Sequence, residues 1–166
     1  MTGYVVLGVT AQQPSAVVDH AVRFARHFEA VLVCAHVAEG YYVVAEHADG
    51  SVESRPMDSD GPDWDTAVFD ADLADRLRVL ARAEQVAVEF RQLAGETGRA
   101  LSRLAEVLDA EMIVVGSRRG GLRASMHEFF SGSVAVHLAH RQPRPLVVIP
   151  VTPLPEDTRA PWEQQG

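Results

Sequence analysis

Glycines and arginines cluster in segment 116–134, which follows an apolar run and leads into a helical pattern. Glycines let a backbone approach a phosphate closely, and guanidinium groups such as those of Arg118 and Arg119 bind phosphate oxygens through forked hydrogen bonds. Gly132 and Ser133 stand where the next helix begins, and the N–H groups and positive dipole end of a helix start favour an anion. The pattern therefore predicts a phosphate site around Gly116 and these residues.

A purely structural interpretation of the same residues stays open. Ser131 or Ser133 fits the capping position of the following helix, which requires no ligand. Arg118, Arg119 and Arg123 equally suit ion pairs with carboxylates, since the chain is acidic overall. In the same segment, the adjacent aromatics Phe129 and Phe130 are expected to anchor the loop to the domain surface.

Composition narrows the classes of function. The 166 residues suit one globular domain, and a net charge of −8 disfavours binding to nucleic acid or to an anionic membrane. All 15 basic residues are arginine, which excludes a lysine-based Walker loop and a lysine Schiff base. The single cysteine, Cys34, lies in an apolar run and is expected to be a buried hydrophobic residue.

Neither a secretory signal nor a membrane span is apparent in the sequence. The first residues enter a strand pattern directly, without the basic flank and cleavage site of a signal peptide. Apolar runs stay shorter than the roughly 18 residues that a membrane helix needs. We therefore expect a cytoplasmic protein that neither spans nor binds a membrane.

Short β-branched runs alternate with segments whose apolar residues recur every three or four positions. This alternation predicts an α/β fold, a single doubly wound domain over residues 3–151 with a five-stranded parallel sheet and helices on both faces. Residues 152–166, rich in proline, are expected to form a disordered tail. The predicted strands are 4–9, 31–37, 86–90, 112–115 and 146–151, and the predicted helices are 16–28, 73–81, 98–108 and 134–141.

Residues 38–65 are too long for an ordinary connection between a strand and a helix. Asp49-Gly50 stands between two alternating segments, which is a strong hairpin signal. We predict a β-hairpin insertion after the second strand. Tyr41 and Tyr42 are expected to pack within it, with stacking on a ligand base as the alternative.

Taken together, these motifs resemble the universal stress protein family. The resemblance spans roughly residues 3–151 without the hairpin insertion, and it implies the same five-stranded α/β fold. It is carried by Val-Val-Gly-Ser-Arg at 114–118, Gly-Gly-Leu at 120–122, Gly-Ser-Val at 132–134, Pro-Leu-Val-Val-Ile-Pro at 145–150, Val-Val-Leu-Gly-Val at 5–9 and Ala-His-Val-Ala-Glu at 35–39.

The resemblance implies ATP or another adenine nucleotide as ligand, with Mg²⁺ as a candidate companion. Arg119 replaces the second glycine of the family's ATP motif, the spacing from Gly116 to Gly132 is three residues longer, and Thr10 replaces an aspartate that usually contacts the nucleoside. The positions that match the family's nucleotide-binding residues are Thr10, Val37, Gly116, Arg119, Gly132, Ser133 and Val134.

The sequence is compatible with two functions. One is a cytoplasmic dimer that binds an adenine nucleotide or related phosphate at the carboxyl edge of the sheet, as a stress-response sensor without catalytic residues. The other is a dimeric scaffold that has lost the nucleotide and binds a protein partner through the hairpin and the Phe129-Phe130 loop. Slow ATP hydrolysis is the weakest alternative, because no general base is evident near the loop.

The last strand bears on oligomeric state. It would be an exposed apolar edge in a monomer, and such edges promote uncontrolled pairing unless they are covered. Pairing with its copy in a twofold dimer covers it, and the resemblance implies the same arrangement. The residues of this expected interface are Leu146, Val147, Val148 and Ile149.

Some of the histidines are candidates for metal ligands or for residues of the site. His137 and His140 lie three apart on one predicted helix, but the chain lacks the spacings of a zinc site. Both are expected to face solvent. His36, at the end of the second strand, is expected to be a hydrogen-bonded structural residue close to the pocket.

Overall fold

The computed structural model describes residues 3–58, 67–117 and 134–151. Apart from the hairpin after the second strand, strands and helices alternate along these ranges, as the apolar patterns predict. The strands are β1 Tyr4–Val9, β2 Val31–Ala38, β3 Tyr41–Glu46, β4 Val52–Pro56, β5 Val88–Ala94, β6 Met112–Gly116 and β7 Leu146–Ile149. The helices are α1 Ser15–His27, α2 Ala71–Ala83, α3 Thr97–Val107 and α4 Val134–Arg141.

Five of the strands form one sheet in the order β5-β2-β1-β6-β7, and every neighbouring pair is parallel. The chain first builds outward from β1 through β2 to β5, and then crosses to β6 on the other side of β1. The strand order therefore reverses between β1 and β6, and such a switch point opens a crevice at the carboxyl ends of the strands. The predicted doubly wound parallel sheet is confirmed.

Two hydrophobic clusters cover the two faces of the sheet. One joins α1 and α2 to residues such as Leu7, Leu32 and Cys34, and the other joins α3 and α4 to Val33 and Ile113. Neighbouring residues of a strand point to opposite faces, so the nearly continuous apolar strands fill both layers. Within the described ranges, no helix is long and apolar enough to cross a membrane.

The predicted bounds of the third strand of the main sheet are wrong. The apolar run at 86–90 suggested a strand that ended there, but β5 runs from Val88 to Ala94. Arg91 and Gln92 interrupt the apolar pattern without ending the strand. β5 is an edge strand, and both polar side chains find hydrogen-bond partners there. Arg91 bonds to the hairpin, and the side-chain amide of Gln92 bonds to the carbonyl oxygen of Leu93.

The predicted hairpin is confirmed as the antiparallel pair β3–β4. Gly50, in its turn, has φ of +77°, a conformation that favours glycine. A Cβ there would also lie 2.5 Å from Leu104 Cδ1 of α3, so the turn packs tightly on that helix. Val52 of β4 packs against the hydrophobic cluster formed with α3 and α4. The hairpin therefore folds over the α3 side of the sheet.

Two of the predicted features fall outside the described residues. These are the end of the predicted insertion at 38–65, of which residues 59–65 are not described, and the tail at 152–166. The domain bounds of 3–151 and the disorder of the tail stay predictions.

Candidate functional site

A cavity of about 690 Å³ lies at the switch point, at the carboxyl ends of β1, β2 and β6. Its size falls in the range of small-molecule sites, which are concave and mostly apolar. The starts of three helices, α1, α3 and α4, flank it. The described residues that line it are Gly8, Val9, Thr10, Gln12, Gln13, Pro14, Ala35, His36, Val37, Ala38, Glu39, Thr97, Leu101, Val115, Gly116, Ser117, Val134, Ala135 and Val151.

Four of the predicted site residues line this cavity. Thr10, Val37, Gly116 and Val134 come from three strand ends and one helix start, and the fold brings them to one edge. Val37 and Val134 both pack against the α3–α4 cluster, so they form part of an apolar wall. The predicted residues Arg118, Arg119, Gly132 and Ser133, together with Ser131, Arg123, Phe129 and Phe130, lie outside the described residues.

Two glycines shape the cavity through packing. A Cβ on Gly8 would lie 2.9 Å from Leu101 Cδ1, and one on Gly116 would lie 3.0 Å from Val151 Cγ2 and 3.2 Å from Val17 Cγ2. The side chains of the protein itself therefore occupy the space that a Cβ would need. At Gly116 this packing accounts for the glycine without a phosphate, although its backbone still borders the cavity.

Thr10, directly after β1, is held by Gln13, which no motif in the sequence indicates. Gln13 Oε1 accepts hydrogen bonds from the Thr10 backbone N–H at 3.0 Å and from its hydroxyl at 3.4 Å. The side-chain nitrogen of Gln13 lies 3.8 Å from the position of a Cβ on Gly116. The β1 side of the cavity mouth therefore carries neutral amide and hydroxyl groups in place of a carboxylate.

The starts of α1 and α3 at the cavity differ in charge. Helix α1 follows Pro14, which has no side-chain cap hydrogen bond, so its first turn presents N–H groups and the positive dipole end. Helix α3 is capped by Glu96, whose carboxylate accepts from the backbone N–H groups of Gly98 and Arg99 at 2.8 and 2.9 Å. An anion is therefore favoured on the α1 side and disfavoured at α3.

His36 lines the cavity and is also hydrogen bonded, as predicted. Gln92 Nε2 donates to the Leu93 carbonyl at 3.1 Å, which turns Gln92 Oε1 toward His36 Nδ1 at 3.2 Å. Since that oxygen only accepts, His36 Nδ1 carries a proton, and in the neutral ring Nε2 remains an acceptor. Phe69 packs edge-on against the ring, with centroids 6.4 Å apart.

The tyrosines of β3 do not join this site. Neither Tyr41 nor Tyr42 is among the described residues that line the cavity, and Tyr42 is 46% exposed. Stacking of a base on them is not supported. β3 leaves the sheet edge to pair with β4, which carries both rings away.

The expectation that both histidines of α4 face solvent is correct for His140 and wrong for His137. His137 Nε2 lies 3.4 Å from Glu96 Oε2, and a Cβ on Gly98 would lie 2.7 Å from the ring. The contact exists because α4 packs beside α3, which the sequence pattern alone does not reveal. In the described ranges, no group of three or more His, Cys, Asp or Glu side chains is placed to hold a metal ion.

Cys34 is fully buried in the α1–α2 cluster, as predicted. Burial raises the pKa of its thiol to about 12, because the thiolate would lose its hydration. Cys34 therefore stays a thiol at neutral pH and acts as a core residue.

Comparison with known proteins decides the family. The model of the universal stress protein family matches residues 1–150. The chain belongs to the universal stress protein family. A comparison with curated protein sequences gave no match.

Solved structures of universal stress proteins share this fold. One in complex with cAMP is 21% identical with a TM-score of 0.60, over 91% of this chain and 98% of that one. A protein from Archaeoglobus fulgidus in complex with dAMP is 18% identical with a TM-score of 0.55, over 89% and 97%. One from Burkholderia pseudomallei is 21% identical with a TM-score of 0.51, over 89% and 96%. At these identities the likeness establishes the fold alone.

Proposed function

We propose that this universal stress protein binds an adenine nucleotide in the cavity at the switch point and acts as a sensor without fast turnover. The observation that carries the proposal is the cavity itself, which is large enough for a small molecule and bordered by Thr10, Val37, Gly116 and Val134. Family members in complex with cAMP and dAMP support the same class of ligand.

The two ends of the cavity suit the two ends of a nucleotide. Val37, Leu101 and Val115 offer apolar surface to a base or sugar. The uncapped start of α1 and the backbone of Gly116 favour the phosphate side. From there the chain continues into Arg118 and Arg119, and it returns through Gly132 and Ser133, which we propose as the remaining phosphate ligands.

Equilibrium titration of the full chain tests the proposal. AMP, ATP and cAMP are titrated into the purified protein by calorimetry, with and without Mg²⁺. We expect at least one of them to bind with a Kd well below 1 mM, the level at which a cellular nucleotide would occupy the site. Failure of all three to bind at that level would exclude a nucleotide sensor.

Arg119→Gly tests the role of the basic segment. If the guanidinium group donates charge-assisted hydrogen bonds to phosphate, its removal should lower nucleotide affinity by about tenfold. If it fills the phosphate position itself, its removal should raise the affinity by about the same factor. If Arg119 serves the ligand, the melting temperature should stay within about 2 °C. Arg55→Ala, on the hairpin, is the control. Equal affinities in both variants would place Arg119 away from the ligand.

We also propose a cytoplasmic homodimer that pairs through β7, with the domain spanning residues 3–151.

A second candidate function is a dimeric scaffold that binds a protein partner. It is favoured by the exposed apolar side chains of the hairpin, where Tyr42, Val43 and Val44 are each more than 40% exposed. A protein that binds no nucleotide but remains dimeric would favour this candidate.

A further inference from the structure

A carboxylate at the cavity mouth has no role in the function proposed above. Glu39 is the one acid among the described residues that line the cavity, and its Oε1 accepts a hydrogen bond of 2.7 Å from the hydroxyl of Thr97. We infer that Glu39, oriented by Thr97, accepts hydrogen bonds from the adjacent hydroxyls of a ligand's sugar, so that the site prefers ribonucleotides to 2′-deoxyribonucleotides. The inference rests on the proposed nucleotide function.

The backbone on either side of Glu39 is fixed by the residues that directly follow two different strands. The carbonyl oxygen of Ala38 accepts from the N–H of Gly95 at 3.2 Å, and that of Gly40 accepts from the N–H of Met57 at 2.9 Å. Gly95 follows β5, and Met57 follows β4, the returning strand of the hairpin. The hairpin insertion therefore holds Glu39 in place, which gives the insertion a function at the site.

The side chain of Glu39 is available to a ligand. It is exposed, and among the described residues no arginine or histidine forms an ion pair with it. An ionised carboxylate only accepts hydrogen bonds, and Thr97 uses a small part of that capacity. The remaining positions suit donors such as hydroxyl groups.

Charge determines which part of a nucleotide can lie against Glu39. Glu96, next to Thr97, adds a second carboxylate at the start of α3. Two negative groups repel a phosphate and leave it on the opposite side, at α1 and Gly116. The neutral sugar, with its hydroxyl donors, then falls on the side of β2 and α3.

The sugar offers the donors that this carboxylate needs. The 2′- and 3′-hydroxyls of ribose lie next to each other, and one carboxylate can accept from both through charge-assisted hydrogen bonds. Thr10 is neutral, so the end of β1 supplies no carboxylate for this purpose. A 2′-deoxy sugar leaves one acceptor position without its donor, and sites built around such a bond discriminate strongly against the ligand that lacks it.

Calorimetric titration with AMP, 2′-deoxy-AMP and 3′-deoxy-AMP tests the inference on the full chain. For the unmodified protein we expect AMP to bind at least about tenfold more tightly than either deoxy analogue. In Glu39→Gln the preference should fall below about threefold, because the neutral amide accepts more weakly. Thr97→Val should lower it by a smaller factor, since the carboxylate stays but loses its orienting bond.

Glu111→Gln is the matched control. Glu111 directly precedes β6, at the amino ends of the strands, and it is not among the described residues that line the cavity. The substitution makes the same chemical change away from the site. We expect it to keep the full preference for ribose.

The outcomes separate the inference from the function on which it rests. If AMP and 2′-deoxy-AMP bind the unmodified protein equally well, the sugar inference fails and the nucleotide function stands. An equal weakening of all three ligands in Glu39→Gln would show that Glu39 does not distinguish the sugar hydroxyls, and would overturn the inference. If none of the ligands binds, both proposals fail. The comparison of ligands on the unmodified protein holds even if a variant folds poorly.

Discussion

Gly8, in the middle of the sheet, sets the depth of the cavity. A methyl group there would lie 2.9 Å from Leu101 Cδ1, and Leu101 is only 1% exposed and has little room to move. We expect Gly8→Ala to lower the free energy of unfolding by about 1–3 kcal/mol through overpacking. Urea denaturation of both proteins measures this change in the free energy of unfolding.

Gly40→Ala is the control for this substitution. Nothing lies within 4 Å of a Cβ built on Gly40. The change should therefore alter the free energy of unfolding by less than about 0.5 kcal/mol. If Gly8→Ala is as mild as Gly40→Ala, Leu101 does not close the floor of the cavity.

Cys34 gives the folded protein a specific response to alkaline pH. Its folded-state pKa of about 12 lies above the unfolded value of 9.0, so between these values the folded protein keeps a proton that the unfolded chain releases. The stability contributed by the buried thiol is complete below the unfolded pKa and is lost as pH rises toward the folded one. We expect a loss of about 1.4 kcal/mol per pH unit in this window.

Cys34→Ala isolates this contribution, since the tyrosines and other groups that titrate in the same window remain. The variant is expected to be less stable at neutral pH because it leaves a small cavity. Its free energy of unfolding should fall less steeply with pH above 9.0 than that of the unmodified protein. If chemical denaturation shows the free energy of unfolding falling equally steeply with pH in both proteins, the raised pKa of the buried thiol would be contradicted.

At the scale of elements, the hairpin is attached to the sheet by Arg91. Its side chain is 14% exposed, and it donates to the carbonyl oxygen of Asp49 at 3.2 Å and to Glu89 Oε2 at 2.7 Å. The hydrogen bond from the Ser51 hydroxyl lowers the pKa of the Asp49 carboxyl and keeps it ionised near Arg91. The β3–β4 turn is thus joined to the edge strand β5.

Arg91→Gln should loosen this attachment. Loss of a hydrogen bond from a charged group corresponds to about 1.5–3 kcal/mol, so we expect the amides around the turn to exchange at least about tenfold faster. Hydrogen exchange with mass spectrometry measures the amide exchange rates of each peptide. Arg55→Gln, on the exposed side of β4, is the control, and equal exchange in both variants would show that Arg91 does not anchor the turn.

At the scale of the whole molecule, the sheet ends in two different ways. The hairpin packs beside β5 at one edge, while β7 forms the other edge with Val148 42% exposed. An uncovered strand invites pairing with another chain. This contrast between a covered and an uncovered edge supports the proposed dimer through β7.

Val148→Asp tests the dimer. Two copies of the new carboxylate would face each other across a twofold interface, and their repulsion and desolvation should raise the dimer dissociation constant by at least about tenfold. Light scattering after size exclusion gives the mass. Val79→Asp, on the exposed surface of α2, carries the same charge away from this edge and should leave the mass unchanged. A dimer that persists in Val148→Asp at low concentration would exclude this interface.

Local patterns in the sequence predicted the parts of the fold that depend on local chemistry. The apolar runs around Val6 and Ile113 fill both faces of the sheet, Asp49-Gly50 forms the hairpin turn, and Cys34 lies in the core. These features follow from side-chain alternation, turn preference and hydrophobic burial, which act over a few neighbouring residues. The motifs that match the family also lie within short segments.

Contacts between residues far apart in the sequence depend on the tertiary structure. Thr97 bonds to Glu39 across 58 positions of sequence, and His137 reaches Glu96 because α4 packs on α3. The extension of β5 through Arg91 depends on the hairpin that lies beside it. Such contacts follow from strand order and helix packing, which no local pattern encodes. The cavity and the position of Glu39 beside it therefore could not be predicted from the sequence.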